Sequence, residues 1–216
     1  MLYPLGRLYV KPIYSIWLRK VTGKENFPRN EPFIIALNHS SYYDTLLPYT
    51  IIIPLLNKQI HPLVNSLYWD NAIFKVIMNW GKCIPVYVEN ENNAEKKNKE
   101  SFEKALNYLK KGHIIQIFPE GRRSYDGKLN KAYSGVAKLA LKAKVPVVPI
   151  GIIGSNKVMP KGKVFPTFNR CEVKIGKPIT FNEYYGKGNN IQALKKITTK
   201  IMKNIASLIG QEYNYD

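Results

Sequence analysis

Residues 31–44 read EPFIIALNHSSYYD. Five apolar residues, Phe33 to Leu37, give way at once to a polar run holding one of the chain's three histidines. A short apolar run bounded by turn-forming residues has the character of a strand buried on both faces, as in parallel sheets. The pattern recurs. HIIQIF at 113–118 breaks into the polar PEGRRS, and VPVVPIGI at 145–152 is again strand-like, as are KCIPVYV at 82–88 and CEVKIGKPI at 171–179. Helical spacing separates these runs. Residues 91–111 place Phe102, Ala105, Leu106 and Leu109 on one side of a polar helix that Gly112 closes. VAKLALKAK at 136–144 is a short helix. The segment 190–210 spaces Ile191, Leu194, Ile197, Ile201, Ile205 and Leu208 helically, with Lys195, Lys196, Lys200 and Lys203 interleaved. The alternation predicts an α/β fold with a largely parallel central sheet covered by helices. Residues 46–82 are apolar and aromatic, but Pro48, Pro54 and Pro62 break their regularity. Most of the rings there, Tyr68, Trp69, Phe74 and Trp80, read as core, with a membrane surface as their alternative.

At 216 residues the chain buries a sizeable core in one domain, and 45% hydrophobic content excludes wholesale disorder. Lys+Arg number 33 against 15 Asp+Glu, a formal net charge of +18. Such a surface suits a polyanion, either nucleic acid or an anionic membrane. Cys83 and Cys171 stand far apart in apolar stretches, without metal-ligand spacing, and read as reduced core residues of a cytosolic protein. The start, MLYPLGRLYVKPIYSIWLRK, lacks the apolar core of a signal peptide. The longest apolar run, TLLPYTIIIPLL, falls short of the ~20 residues a spanning helix needs. Residues 1–20 combine Trp and Tyr with four basic residues and read either as a membrane-interface segment or as an amphipathic helix packed on the domain. Residues 21–216 are then the single domain.

In a sheet of this kind, functional groups collect where strands end. Both NHSSYYD and PEGRRS begin at such ends. His39 and Asp44 lie five residues apart. On a regular helix that separation is about 140°, so they meet only if His39 sits in the turn and Asp44 folds back from the first helical turn. A carboxylate accepting the Nδ1 proton would leave Nε2 free to take a proton from a hydroxyl. The competing reading makes Ser41 and Asp44 an N-terminal helix cap and His39 a turn residue. In FPEGRRS, residues 118–124, Gly121 permits close approach of backbone to a ligand, Glu120 accepts from hydroxyls, and Arg122 and Arg123 offer forked donors to phosphate.

Together, NHSSYYD and FPEGRRS some eighty residues later resemble the glycerolipid acyltransferases, the family of 1-acylglycerol-3-phosphate acyltransferases and related lysophospholipid acyltransferases. VTGKENFP at 21–28 looks like the family's lead-in, KAYSGVAKLAL at 131–141 like its helix entry, and VPVVPIGIIGS at 145–155 like its fourth block. The resemblance implies that His39 is a general base and Asp44 its orienting partner. An acceptor hydroxyl then attacks an acyl thioester directly, with no acyl-enzyme and no cofactor. It further implies that Glu120 and Gly121 line the acceptor site, that Arg123 binds the acceptor phosphate, and that amides near Gly121 stabilise the oxyanion.

One position departs from the family pattern. Where the second block has a phosphate-gripping arginine, GKCIPVYVEN places Val88. Lys82 or Lys131 would have to substitute, each a point charge rather than a fork. The expected acceptor is 1-acylglycerol-3-phosphate, with another lysolipid or a glycolipid as the alternative. The donor is acyl-CoA or acyl carrier protein. The expected place is the cytoplasmic face of the cell membrane, held peripherally on an anionic surface. A basic nucleic-acid-binding module is the reading from a different class. It rests on charge alone, without a helix-turn-helix, zinc finger or RNA-binding aromatic signature, so no nucleic acid is expected. A hydrolase using the pair on water is a third, and no nucleophile-elbow motif supports its serine version.

Overall fold

The computed structural model describes residues 11–88, 91–160, 162–163, 165–186, 188 and 190–215. Seven strands, β1 (Leu18–Thr22), β2 (Ile34–Leu37), β3 (Ile60–Asn65), β4 (Ile84–Val86), β5 (Ile114–Ile117), β6 (Val147–Ile153) and β7 (Cys171–Ile175), form one sheet in the order β1-β7-β6-β2-β5-β3-β4. Every neighbouring pair is parallel except β6 with β7. The helices are α1 (Lys11–Ser15), α2 (Leu47–Leu56), α3 (Ala72–Trp80), α4 (Ala94–Lys110), α5 (Gly135–Ala143), α6 (Ser155–Val158) and α7 (Ile191–Ile209). This is the expected covered, largely parallel sheet.

The central strand β2 shows why its residues are apolar throughout. Ile34 and Ala36 pack toward α4, α5 and α7, while Ile35 and Leu37 pack on the other face with Leu47, Ile51 and Ile52 of α2. Helix α7 buries Leu194, Ile197, Ile201 and Ile205 and leaves its lysines exposed, an amphipathic stripe seated on the sheet.

Three elements depart from the sequence reading. Helix α2 runs through both prolines of LPYTIIIPLL. Pro48 sits in the first turn, where its missing N–H costs nothing, and Pro54 lies near the end that Asn57 closes with a φ of 53°. Strand β3 contains Pro62. It pairs with β5 over Ile60–Pro62 and with β4 from Leu63 onward, so the strand exchanges neighbours at the residue that has no N–H to give. Strand β1 takes Leu18, Arg19 and Lys20 into the sheet beside β7 and so crosses the expected boundary after residue 20.

Residues 1–10 of the expected membrane-interface segment lie outside the described residues. Those that follow pack in part on the domain. Tyr14 stacks on Tyr43 with ring centroids 5.0 Å apart, the Tyr43 hydroxyl donates to the Tyr14 carbonyl, and Trp17 Nε1–H donates to Thr167 O at 2.6 Å.

Candidate active site

β2 and β5 are neighbours, and their C-terminal ends deliver NHSSYYD and FPEGRRS side by side. Asn38 anchors the first turn by acting as one more backbone unit. Its Nδ2 donates to Ile152 O at 2.9 Å and its Oδ1 accepts from Ile152 N at 2.7 Å. Ser41 is extended and caps a short 3-10 helix at Tyr42–Thr45, its Oγ accepting from Tyr43 N at 3.2 Å. Asp44 answers from within that helix. Its Oδ2 accepts from Ser40 N and Ser41 N, both at 2.7 Å, and lies 3.1 Å from His39 Nδ1. The cap and the His–Asp pair are therefore one arrangement, because a single carboxylate oxygen serves both. With Nδ1 donating to Asp44, Nε2 carries the lone pair, and no described residue engages it. The imidazole face lies flat on Phe118, centroids 3.9 Å apart at 19°.

Glu120 is buried behind this turn. Oε1 accepts from His39 N at 2.9 Å, and Oε2 accepts from Asn130 N at 2.7 Å and Asn130 Nδ2 at 2.9 Å. Burial pushes its carboxyl above the usual range, more than the three hydrogen bonds and the nearby histidine pull it down. Ser124 N donates to His39 O at 2.7 Å, so both main-chain groups of His39 are held by the PEGRRS segment. Gly121 sits at a φ of 65°, and a Cβ there would meet Tyr133 Cε2 at 2.9 Å. Its N–H donates to Phe118 O at 3.0 Å. Arg123 stacks its guanidinium 3.6 Å from the Tyr42 ring centroid.

His39, Gly121 and Arg123 line one cleft of about 1830 Å³, mostly apolar, together with residues of β3, α3, β4, α4 and α5. Asp44 and Glu120 stand behind its wall, fully buried. Lys131 is exposed and does not line the cleft; Lys82 does, and so does Val88, half-exposed. The sequence reading did not assign Asn38, Phe118, Asn130 or Tyr42 to the site. Asn38 had a signal, a polar amide between an apolar strand and a histidine. Asn130 had none, since only the fold brings it to Glu120.

The two cysteines are buried as expected, and burial pushes the Cys83 thiol up to about 11 and Cys171 to about 12. The other two histidines, His61 and His113, form a pair at the edge of the cleft. His61 Nδ1 lies 3.0 Å from Lys82 O and its Nε2 2.9 Å from His113 Nδ1, with the ring stacked 3.6 Å from Tyr108. Burial holds His61 down to about 4 and moves His113 in the same direction. A histidine kept neutral in the fold takes up its proton only in the unfolded chain, so its stabilisation is complete above its ordinary value near 6.5. The contribution is lost as pH falls from there toward 4. Unfolding free energy is expected to drop by up to about 3 kcal/mol across that window, on top of any carboxylate titration. Denaturant titrations at pH 7, 5.5 and 4 check this, with a much shallower slope expected in His61→Asn.

The chain matches the Acyltransferase family model over residues 18–153. It is 30% identical over 152 residues to a chloroplastic 1-acyl-sn-glycerol-3-phosphate acyltransferase of Brassica napus, covering 69% of this chain and 41% of that protein. It is 29% identical over 161 residues to the 1-acyl-sn-glycerol-3-phosphate acyltransferase of Bacillus subtilis, covering 74% of this chain and 73% of that one. It thus spans less than half the length of the Brassica relative. The fold is similar to the crystal structure of the 1-acyl-sn-glycerophosphate acyltransferase PlsC from Thermotoga maritima, with a TM-score of 0.69 at 23% identity over 96% of this chain and 80% of that one. With the motifs at the ends of β2 and β5 inside the matched span, the chain belongs to the acyltransferase family.

Proposed function

We propose that this protein transfers a fatty acyl group from a thioester carrier, acyl-CoA or acyl carrier protein, to the free hydroxyl of 1-acylglycerol-3-phosphate, giving phosphatidic acid. The observation that carries the reading is the His39 Nδ1 to Asp44 Oδ2 contact of 3.1 Å beside a large apolar cleft, with the opposite imidazole nitrogen unengaged. Nε2 takes the proton of the acceptor hydroxyl as its oxygen bonds to the thioester carbonyl carbon. Asp44 stabilises the imidazolium so formed. When the tetrahedral intermediate collapses, the C–S bond breaks and the thiolate leaves with the proton returned by Nε2. Cys83 takes no part as nucleophile, since burial keeps its thiol protonated. The Gly121 amide is spent on Phe118, so oxyanion stabilisation falls to other donors of the loop. Glu120 acts as a positioning residue, fixing the His39 main chain against the second loop.

Arg123, held flat on Tyr42 at the cleft wall, binds the acceptor phosphate. A second acceptor, a lysolipid with another headgroup, is favoured by Val88, which puts an apolar side chain where a second guanidinium would complete a phosphate grip. The excess charge of +18 supports peripheral docking on an anionic leaflet at the cytoplasmic face of the cell membrane.

Incubation with radiolabelled oleoyl-CoA and a panel of lysolipids on anionic vesicles tests the reading and ranks the acceptors. Failure to acylate any acceptor, from either carrier, would end it. In the same assay Arg123→Ala should raise the KM for the phosphate-bearing acceptor about 10- to 100-fold, the loss of one charge-assisted contact, with the acyl-donor KM little changed. Equal losses for both substrates would remove Arg123 from the phosphate site.

A further inference from the structure

Helix α3 is a fully formed helix with no buried residue. Its ends are specified locally. Asn71 caps it by accepting from Ile73 N at 3.0 Å and Phe74 N at 3.2 Å, and Trp69 Nε1–H donates to Asn79 Oδ1 at 2.8 Å. Its large apolar side chains nevertheless face solvent: Ile73 is 72% exposed, Val76 69%, Trp80 53%, Phe74 46% and Ile77 45%. Ile73, Val76, Ile77 and Trp80 recur at i, i+3, i+4 and i+7, one continuous stripe. The expectation that most of Tyr68, Trp69, Phe74 and Trp80 serve the core is thus corrected: Phe74 and Trp80 are exposed and none of the four is fully buried. Periodicity marks an apolar face without saying what covers it. An exposed stripe of this kind on a preformed helix marks an interaction surface.

Phe74, Ile77 and Trp80 also line the cleft that holds His39, so the stripe is continuous with the cleft wall. Between Ala72 and Val88 the charged residues are Lys75 and Lys82, with no acidic residue. We infer that α3 inserts into the surface of an anionic phospholipid bilayer and seats the mouth of the cleft against the lipid. Two observations favour lipid over a second copy of the chain. At a net charge of +18 two copies repel, whereas an anionic leaflet attracts. A copy seated on α3 would also cover the cleft mouth, whereas lipid would open onto it. That second point rests on the proposed lipid substrate; the first does not.

Ile73 and Val76 belong to the stripe but do not line the cleft, so Ile73→Ser/Val76→Ser isolates docking from chemistry. Wild-type protein should co-sediment with vesicles of phosphatidylcholine and phosphatidylglycerol and bind phosphatidylcholine alone more weakly. The double variant should lose about tenfold or more in partition to the anionic vesicles, with its melting temperature and its turnover of detergent-dispersed acceptor unchanged. Equal partition of variant and wild type would overturn the inference. So would a lipid-free wild-type dimer, seen by sedimentation, that the double variant breaks into monomers. Stripe-dependent vesicle binding by a protein that acylates no acceptor would uphold the docking and remove the proposed activity instead.

Discussion

Acyl transfer by the His39→Ala protein is expected to fall about 10²- to 10⁴-fold in kcat, the usual worth of a positioned general base, while the fold survives. The two expectations come from different parts of the residue. In the proposed reaction the imidazole is the base: Nδ1 is fixed by Asp44, the ring borders the cleft, and no hydrogen bond to Nε2 is found among the described residues. The main chain supplies the structure, because His39 N donates to Glu120 and His39 O accepts from Ser124. Alanine keeps both main-chain bonds. It forfeits the stack on Phe118 and the contact with Asp44, whose Oδ2 still accepts from Ser40 and Ser41. A net loss of about 1 kcal/mol in stability is the scale of one such hydrogen bond. Single-turnover kinetics with labelled oleoyl-CoA, beside a thermal melt, separates the two. A fall of less than tenfold in the chemical step would take the base assignment away from His39.

The legibility of this protein in its sequence follows burial. β2 and β5 read clearly because every residue in them is enclosed on both faces and, Gln116 apart, apolar. α7 read clearly because one side packs on the sheet and the other carries lysines. β1 did not, since Leu-Arg-Lys-Val-Thr is a largely exposed edge strand whose basic residues resemble a surface segment. β3 and α2 were hidden by prolines that tolerate their positions only through particulars of pairing and turn. In the site, His39, Asp44, Gly121 and Arg123 could be nominated from local sequence because all four lie in the two segments that follow neighbouring strand ends. Glu120 was nominated for substrate hydroxyls, yet both its oxygens are taken by His39 N and Asn130. That partnership exists only once the loop carrying Asn130 is folded back across the strand ends, and no spacing in the chain announces it.

Asp44→Asn is the more searching test, because it separates the two tasks of one oxygen. An asparagine can place its carbonyl where Oδ2 stands and keep the amides of Ser40 and Ser41, so the cap persists. It loses the negative charge beside the imidazole and puts an amide NH₂ where the buried Oδ1, which has no hydrogen-bond partner among the described residues, now sits. The folded protein should therefore lose about 1.5–3 kcal/mol, the scale of exchanging hydrogen bonds to a charged acceptor for neutral ones. Catalysis should lose more, again about 10²- to 10⁴-fold in kcat, since a carbonyl at the Oδ2 position still accepts from Nδ1 but carries no charge to stabilise the developing imidazolium. KM for both substrates should move little, as Asp44 lies behind the cleft wall. The decisive comparison is the double variant. If Asp44 acts through His39, His39→Ala/Asp44→Asn turns over no more slowly than His39→Ala alone, because residues working as one unit are lost together. Losses that multiply would instead make Asp44 a helix cap whose contact with the histidine is incidental.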